Sequence, residues 1–289
     1  MYRNGEELLR TAEEKGVRLS QVVLESEVAL TSMPEMQVRD EFWKRYGVMK
    51  QSAEKALTAS CKTAGGLIEG VAMTQNAYAQ KGTTLCGSVL NRIMAMAFSC
   101  SEVNASMGRI CAAPTAGSCG ILPAVLIGME EQLDAPKWEM VDALLTATGV
   151  GAIYTKNATV AGAEGGCQAE CGVASSMAAA AACQLGGGTP AQCMDAASFA
   201  MINVMGLVCD PVAGLVQFPC AQRNASGAIN ALVAADMALA GQKCLIPFDQ
   251  VVDAMYRVGK SLPYQLRETA LGGVAATPAG KELAEKIFG

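Results

Sequence analysis

Between residues 4 and 60, charged and apolar positions recur at helical spacing. The pattern predicts amphipathic helices on either side of Pro34. The stretch Thr63-Ala64-Gly65-Gly66 reads as a joint between this region and the rest. From about Asn76 the pattern becomes apolar, small and punctuated by glycine, as in Ala178-Ala179-Ala180-Ala181-Ala182. Small side chains let helices approach closely, and few alternating β-branched runs appear. The chain is therefore read as all-α, mainly helical, with Gly/Pro loops between helices. The expected organisation is one domain, residues 1–289, made of an N-terminal helical region (1–65) and a core (66–289). No internal repeat or low-complexity linker is visible.

Several helix boundaries carry local signals. Thr189-Pro190-Ala191-Gln192 reads as an N-cap, a proline at the first helical position and a capping-box glutamine, opening a helix that runs to about Met205 and stops at Gly206. Thr277-Pro278 opens a last helix toward Phe288 in the same way. Gly259 is expected to end a helix containing Val251, Val252, Met255 and Tyr256. Two more helices are expected, from about Gln168 to Gln184 and from about Arg223 to Ala240. Cys209 and Cys220 then fall in the loop between two helices, and Cys167 falls at a helix start, where the backbone favours negative charge.

Composition narrows the function classes. The chain has 289 residues, 51% of them hydrophobic, which is enough for a sizeable core. Its net charge of -5 without a basic stretch argues against nucleic-acid binding. The N-terminus is charged and lacks the apolar region of a signal peptide. No segment offers about 18 uninterrupted apolar residues, so a membrane span is not expected. A soluble cytoplasmic protein is the simplest reading. The twelve cysteines show no disulfide framework, and most read as small buried hydrophobes; Cys61, Cys100, Cys183, Cys193 and Cys244 carry no functional reading. The absence of histidine removes the commonest general base and every His-containing metal site, so catalysis needs other groups or a partner's histidine.

Cys209 and Cys220 stand among Pro, Gly and polar residues, and Cys167 follows Gly165-Gly166. No Cys-x-x-Cys pair exists, so zinc ribbons and ferredoxin-like runs are not supported. Cys167 and Cys171 are four apart and share a helix face, either as two ligands or as one ligand and a packed neighbour. Spacing alone leaves the metal question open. Three thiolates holding an iron–sulfur cube would leave one iron free to meet a substrate.

Gly165-Gly166-Cys167-Gln168-Ala169-Glu170, Val208-Cys209-Asp210-Pro211-Val212-Ala213-Gly214 and Phe218-Pro219-Cys220-Ala221-Gln222-Arg223-Asn224 resemble the α subunit of bacterial iron–sulfur L-serine dehydratases. So do Glu102-Val103-Asn104-Ala105-Ser106-Met107-Gly108, Ala113-Pro114-Thr115-Ala116-Gly117-Ser118, Lys156-Asn157-Ala158-Thr159-Val160-Ala161-Gly162-Ala163, Leu266-Arg267-Glu268-Thr269 and the ending Lys286-Ile287-Phe288-Gly289. The resemblance spans nearly the whole chain. It implies a [4Fe-4S] cluster on Cys167, Cys209 and Cys220, without Cys119 or Cys171, and no pyridoxal phosphate. It also implies a β subunit carrying a histidine, with the active site near the contact of an αβ hetero-oligomer. Single-chain relatives can end in a cysteine that plugs the fourth iron; this chain ends in Gly289.

The implied reaction is α,β-elimination of water from L-serine. The open iron serves as a Lewis acid, a base (first choice a partner histidine) takes the α-proton, and the products are pyruvate and ammonia. Asn104, Thr115 and Ser118 are candidates to orient the substrate, or else caps and turn formers. Gly117 and Gly120 read as points of close backbone approach. Arg223 and Arg267 are candidate carboxylate anchors, or else members of structural ion pairs, Arg267 beside Glu268. Asp210 reads as the cap of the turn before Pro211. Glu164 and Glu170 flank Cys167, as supports of the site or as solvated acids. Three rivals stand beside this reading: L-cysteine desulfidase using the same open iron, a pyridoxal-phosphate dehydratase, and an electron carrier in which Cys171 closes the cluster.

Overall fold

The computed structural model describes residues 2–289, and among these it is all-helical, with thirteen α-helices and no strand. They are α1 (Gly5–Lys15), α2 (Leu19–Thr31), α3 (Glu35–Lys55), α4 (Val71–Ala79), α5 (Gly87–Ala105), α6 (Ile121–Leu133), α7 (Lys137–Asn157), α8 (Gly162–Gly165), α9 (Val173–Leu185), α10 (Pro190–Ile202), α11 (Cys220–Leu239), α12 (Phe248–Ser261) and α13 (Pro278–Phe288). Pro34 lies between α2 and α3, as the amphipathic pattern requires. No described helix is long and apolar enough to cross a membrane.

The core is organised around α9. Every residue from Val173 to Gln184 is buried, and α6, α7, α10 and α11 pack around it. The alanine run makes this possible, because a helix without long side chains can be surrounded at short interaxial distance. Its few polar groups are each tied to a neighbour. The Ser175 hydroxyl donates to the Gly227 carbonyl of α11 at 2.7 Å, and Ser176 donates to Ala197 of α10 at 2.8 Å. Gln184 accepts from Thr146 of α7 at 2.6 Å. These buried bonds fix the register of α9 against three helices, although Gln184 Nε2 is buried without a partner. A single hydrophobic cluster runs from Leu8 through to Met255, so the N-terminal helices share the core.

Local signals and structure agree where the signal is a cap. Thr189 and Gln192 form the reciprocal capping box of α10, and Thr277 accepts from Gly280 N at the start of α13. They differ where tertiary contacts decide. The helix expected from Gln168 opens as a π-helical turn, Gln168–Gly172, before α9 proper, and α11 begins at Cys220 rather than Arg223. Cys220 is therefore the first residue of a helix and not a loop residue. The α10 helix ends at Ile202 and reaches Gly206 (φ +90°) through turns. Gly259 does not end α12, which continues to Ser261. A Cβ there would sit 2.7 Å from Gly165 Cα, so this glycine serves packing against α8, and Pro263 supplies the stop.

The joint at residues 63–66 is held closely. Thr63 is buried and donates to Gln217 Oε1 at 3.1 Å, Leu67 N donates to the same oxygen at 3.2 Å, and Gln217 Nε2 donates to the Ala64 carbonyl. The buried Glu102 carboxylate accepts from Cys61 N and Gly70 N, both at 3.2 Å, and from Ala72 N at 2.8 Å. These bonds draw the 61–72 segment over α5 and against the 211–219 loop.

The junction of α6, α9 and α11 has no spare room. A Cβ on Gly227 would lie 2.6 Å from Ile121 Cδ1 and 2.9 Å from Ser175 Oγ. We expect Gly227→Ala to cost about 1–3 kcal/mol, read as a lowered Tm in thermal unfolding. An unchanged Tm would contradict this packing.

Candidate active site

Four chain segments converge beside the N-terminal end of α9. Gly166 adopts φ +74°, and a Cβ there would lie 2.8 Å from the Leu207 carbonyl, so only glycine lets the two strands of backbone meet. Immediately beyond it, Gln168 N donates to that carbonyl at 3.0 Å. The buried Gln168 side chain accepts from Gly206 N at 2.8 Å and donates to the Met255 carbonyl at 3.0 Å. Cys167, just before the π-helical turn, is thereby fixed against the segment that carries Cys209. Cys209 itself exchanges backbone bonds with the third segment: its N–H donates to Leu266 O at 2.9 Å, and Glu268 N donates to Cys209 O at 2.8 Å. Cys220, from the fourth segment, starts α11.

Arg223 fastens these parts together. It donates to the Val208 carbonyl at 2.8 Å and pairs with Asp210 Oδ1 at 2.7 Å, while Asp210 Oδ2 accepts from Val274 N at 2.7 Å. Asp210 is thus an ion-pair and amide-binding residue rather than a simple turn cap. Asn224, one turn into α11, accepts from Gly120 N at 2.8 Å and donates to Gly117 O at 2.7 Å and Cys220 O at 2.8 Å. It sets the 115–120 segment against Cys220. Gly120 lies so close to α5 that a Cβ would be 2.5 Å from the Ala97 carbonyl.

Glu170 looks into the space among these segments. Its Oε1 accepts from Thr115 at 2.7 Å, and its Oε2 lies 4.0 Å from Cys209 Sγ. Burial pushes its carboxyl above the ordinary range, with the Thr115 hydroxyl acting in the opposite direction. Burial likewise raises the Cys220 thiol to about 12, with the charges of Cys167 and Glu170 adding to the rise and Arg223 opposing it. Cys209 is raised by the same burial and by Cys167, Glu170 and Cys220. Cys167 moves the other way, chiefly because Cys171 Sγ, 3.4 Å away, hydrogen-bonds to it. The three cysteines therefore act on one another's charge. Even so, among the described residues no three acidic or thiol groups converge tightly enough to hold a single metal ion.

The other residues singled out in the sequence fall around this centre. Thr115 and Ser118 lie 3.2 Å apart, hydroxyl to hydroxyl, and Asn104 donates to the Ala116 carbonyl at 3.3 Å. Among the described residues Arg267 makes no ion pair with Glu268, and its buried Nε has no hydrogen-bond partner. Glu164 pairs with Lys260 at the surface. Cys119 is buried against α5, with its thiol directed at the Cys100 carbonyl. Asn224 and Gln168 were not singled out, although they stand in the motifs around Cys220 and Cys167. Their polar side chains inside otherwise small, apolar helix starts were the available signal.

Fold and site define an all-helical protein with a buried centre of thiols, a carboxylate and a guanidinium. The chain belongs to the serine dehydratase alpha chain family, and so to the lyases: that family's model matches residues 14–275. It is 49% identical over 283 residues to the L-serine dehydratase, alpha chain, of Peptoniphilus asaccharolyticus, covering 98% of this chain and 97% of the relative. It is 45% identical over 289 residues to the probable L-serine dehydratase, alpha chain, of Bacillus subtilis, covering 100% of this chain and 96% of the relative. Against L-serine dehydratase 2 of Escherichia coli the identity is 38% over 281 residues, 95% of this chain but 61% of that protein.

Asn224→Ala would leave Gly120 N, Gly117 O and Cys220 O without their partner. We expect a loss of about 1–3 kcal/mol in denaturant unfolding. Wild-type stability in this variant would show that Asn224 does not brace the site.

Proposed function

We propose that this chain is the catalytic subunit of an L-serine dehydratase and that Cys167, Cys209 and Cys220 hold a [4Fe-4S] cluster. The observation that carries the reading is the convergence of three buried thiols from separate segments on one carboxylate-lined space, in a member of this family. The donor set fits the group. It is three buried free thiols, which suits iron–sulfur ligation. Cys171 fits a ligand role poorly, because the outward positions of a cube diverge and its sulfur lies 3.4 Å from Cys167 Sγ. All twelve cysteines are free thiols, in keeping with a reducing compartment such as the cytoplasm.

When bound, the cluster supplies a Lewis-acidic iron that makes the substrate hydroxyl a better leaving group. The chain's own residues bind and orient. Arg267, with an unpartnered Nε beside the Cys209 backbone, receives the substrate carboxylate. Arg223 is held by Val208 O and Asp210, so its first task is to shape the Cys209 turn. Asn104, Thr115 and Ser118 line the approach from the 104–118 side.

With no histidine in the chain, the base that removes the α-proton comes from a β partner. Two relatives are named as alpha chains, and the longer Escherichia coli protein carries sequence beyond the matched part; both support an αβ assembly. The partner reaches the substrate from the side opened by the Arg267 segment, where Tyr264 and Leu271 are exposed. Elimination without pyridoxal phosphate gives pyruvate and ammonia.

Anaerobic reconstitution with iron and sulfide, followed by L-serine with and without β, tests the reading. We expect pyruvate that requires the cluster and β and is indifferent to added pyridoxal phosphate. Sulfide from L-cysteine with no pyruvate from L-serine would instead assign a desulfidase. Among variants, Cys167→Ser, Cys209→Ser and Cys220→Ser should each lose the cluster's visible absorbance, whereas Cys171→Ser should keep it. Loss of the cluster in Cys171→Ser would mean four protein ligands and no open iron.

A further inference from the structure

Among the described residues, Glu170 is the acid of the centre that faces the cysteines without a cation. Asp210 is taken by Arg223 and Val274 N, and Glu164 by Lys260. Glu268 is exposed at the surface. Glu170 is half-buried: its Oε1 accepts from the Thr115 hydroxyl at 2.7 Å, and its Oε2 accepts only a long contact, 4.0 Å, from the Cys209 thiol. The nearby guanidinium, Arg223, already serves Asp210 and Val208. The backbone is shaped around this carboxylate: a Cβ on Gly117 would lie 2.8 Å from Oε1, and one on Gly162 would lie 2.6 Å from Oε2. Two bare backbone positions thus hold open the room it occupies.

A carboxylate partly withdrawn from water beside three sulfurs is relieved by a proton or by a cation that reaches it. Among the described residues no cation reaches Glu170, and a ligand's own ammonium would supply one. An α-amino acid carries a primary ammonium with three N–H donors, a compact match for one carboxylate oxygen and a neighbouring hydroxyl.

We propose that Glu170, held by Thr115 between Gly117 and Gly162, binds the α-ammonium of the substrate and so restricts the site to amino acids over the corresponding hydroxy acids. This rests on the function proposed above and adds an amine contact opposite the Arg267 carboxylate contact.

The test uses the reconstituted αβ complex. Glu170→Gln keeps the side-chain volume and an acceptor for Thr115 but removes the charge. The readouts are the cluster's absorbance, the midpoint of the spectral change when L-serine is titrated in, kcat and KM. L-Glycerate, which has hydroxyl in place of the ammonium, is titrated as the comparison ligand. We expect full cluster content in Glu170→Gln, L-serine binding weakened about 10- to 100-fold, the scale of a lost charge-assisted hydrogen bond, and L-glycerate binding no weaker than in wild type. Glu170→Asp, which keeps the charge at shorter reach, should recover part of the L-serine affinity and none of the L-glycerate difference. Equal weakening for both ligands, loss of the cluster, or a fall in kcat with KM and the titration midpoint unchanged would overturn the ammonium role alone. A wild-type complex that makes no pyruvate from L-serine would overturn the function reading, and this inference with it.

Discussion

The centre depends on one buried ion pair. Asp210 is 2% exposed and Arg223 17%, with 2.7 Å between them, and each also binds backbone from another segment. Through Val208 O the pair fixes the turn bearing Cys209, through α11 it fixes Cys220, and through Val274 N it fixes the loop that follows the Arg267 segment. A buried pair of this kind is a modest source of net stability, because desolvation offsets much of its attraction. Its value here is geometric: loops rich in Gly and Pro have many conformations, and the pair selects one. Gln168 does the same on the Cys167 side with three bonds to two other segments.

Around this anchor the fold divides labour between rigid and shaped parts. The α9 helix, sheathed by four others, gives a fixed platform, and the cysteine centre sits at its N-terminal end. The π-helical turn adds a residue to the turn between Cys167 and α9 and re-aims Cys167 and Glu170 toward the converging loops. Glycines at positions 117, 162 and 166 keep backbone close to the carboxylate and to the Leu207 carbonyl. The three cysteines and the residues proposed to meet the substrate thus belong to different segments but share the same braces, so a change in Asn224 or Asp210 is felt by both.

Much of the fold was legible because its signals are local. Thr189 with Gln192 and Thr277 with Pro278 mark helix starts by the bonds they make within one turn. The small-residue pattern gave the helical class, and the motifs around Cys167, Cys209 and Cys220 gave the family. What stayed hidden is decided over distance. Gly259 resembles a helix stop, yet it serves contact with Gly165, nearly a hundred positions earlier. The early start of α11 follows from Asn224 binding Gly117 and Gly120 across the fold. Asp210 looked like a turn cap because its ion-pair partner, thirteen residues on, and its amide donor, Val274, have no local signature. Glu170 looked like an acid at a helix start, and only the placement of Thr115 and two glycines shows it turned inward.

The central claim is that three protein thiols leave one iron of the cluster for the substrate. Mössbauer spectroscopy of the αβ complex reconstituted with ⁵⁷Fe, before and after L-serine, addresses it most directly. We expect one iron of the four to be distinct and to change its parameters when L-serine is added, while the other three stay as they are. Four irons that are equivalent, and that do not respond to L-serine, would contradict it.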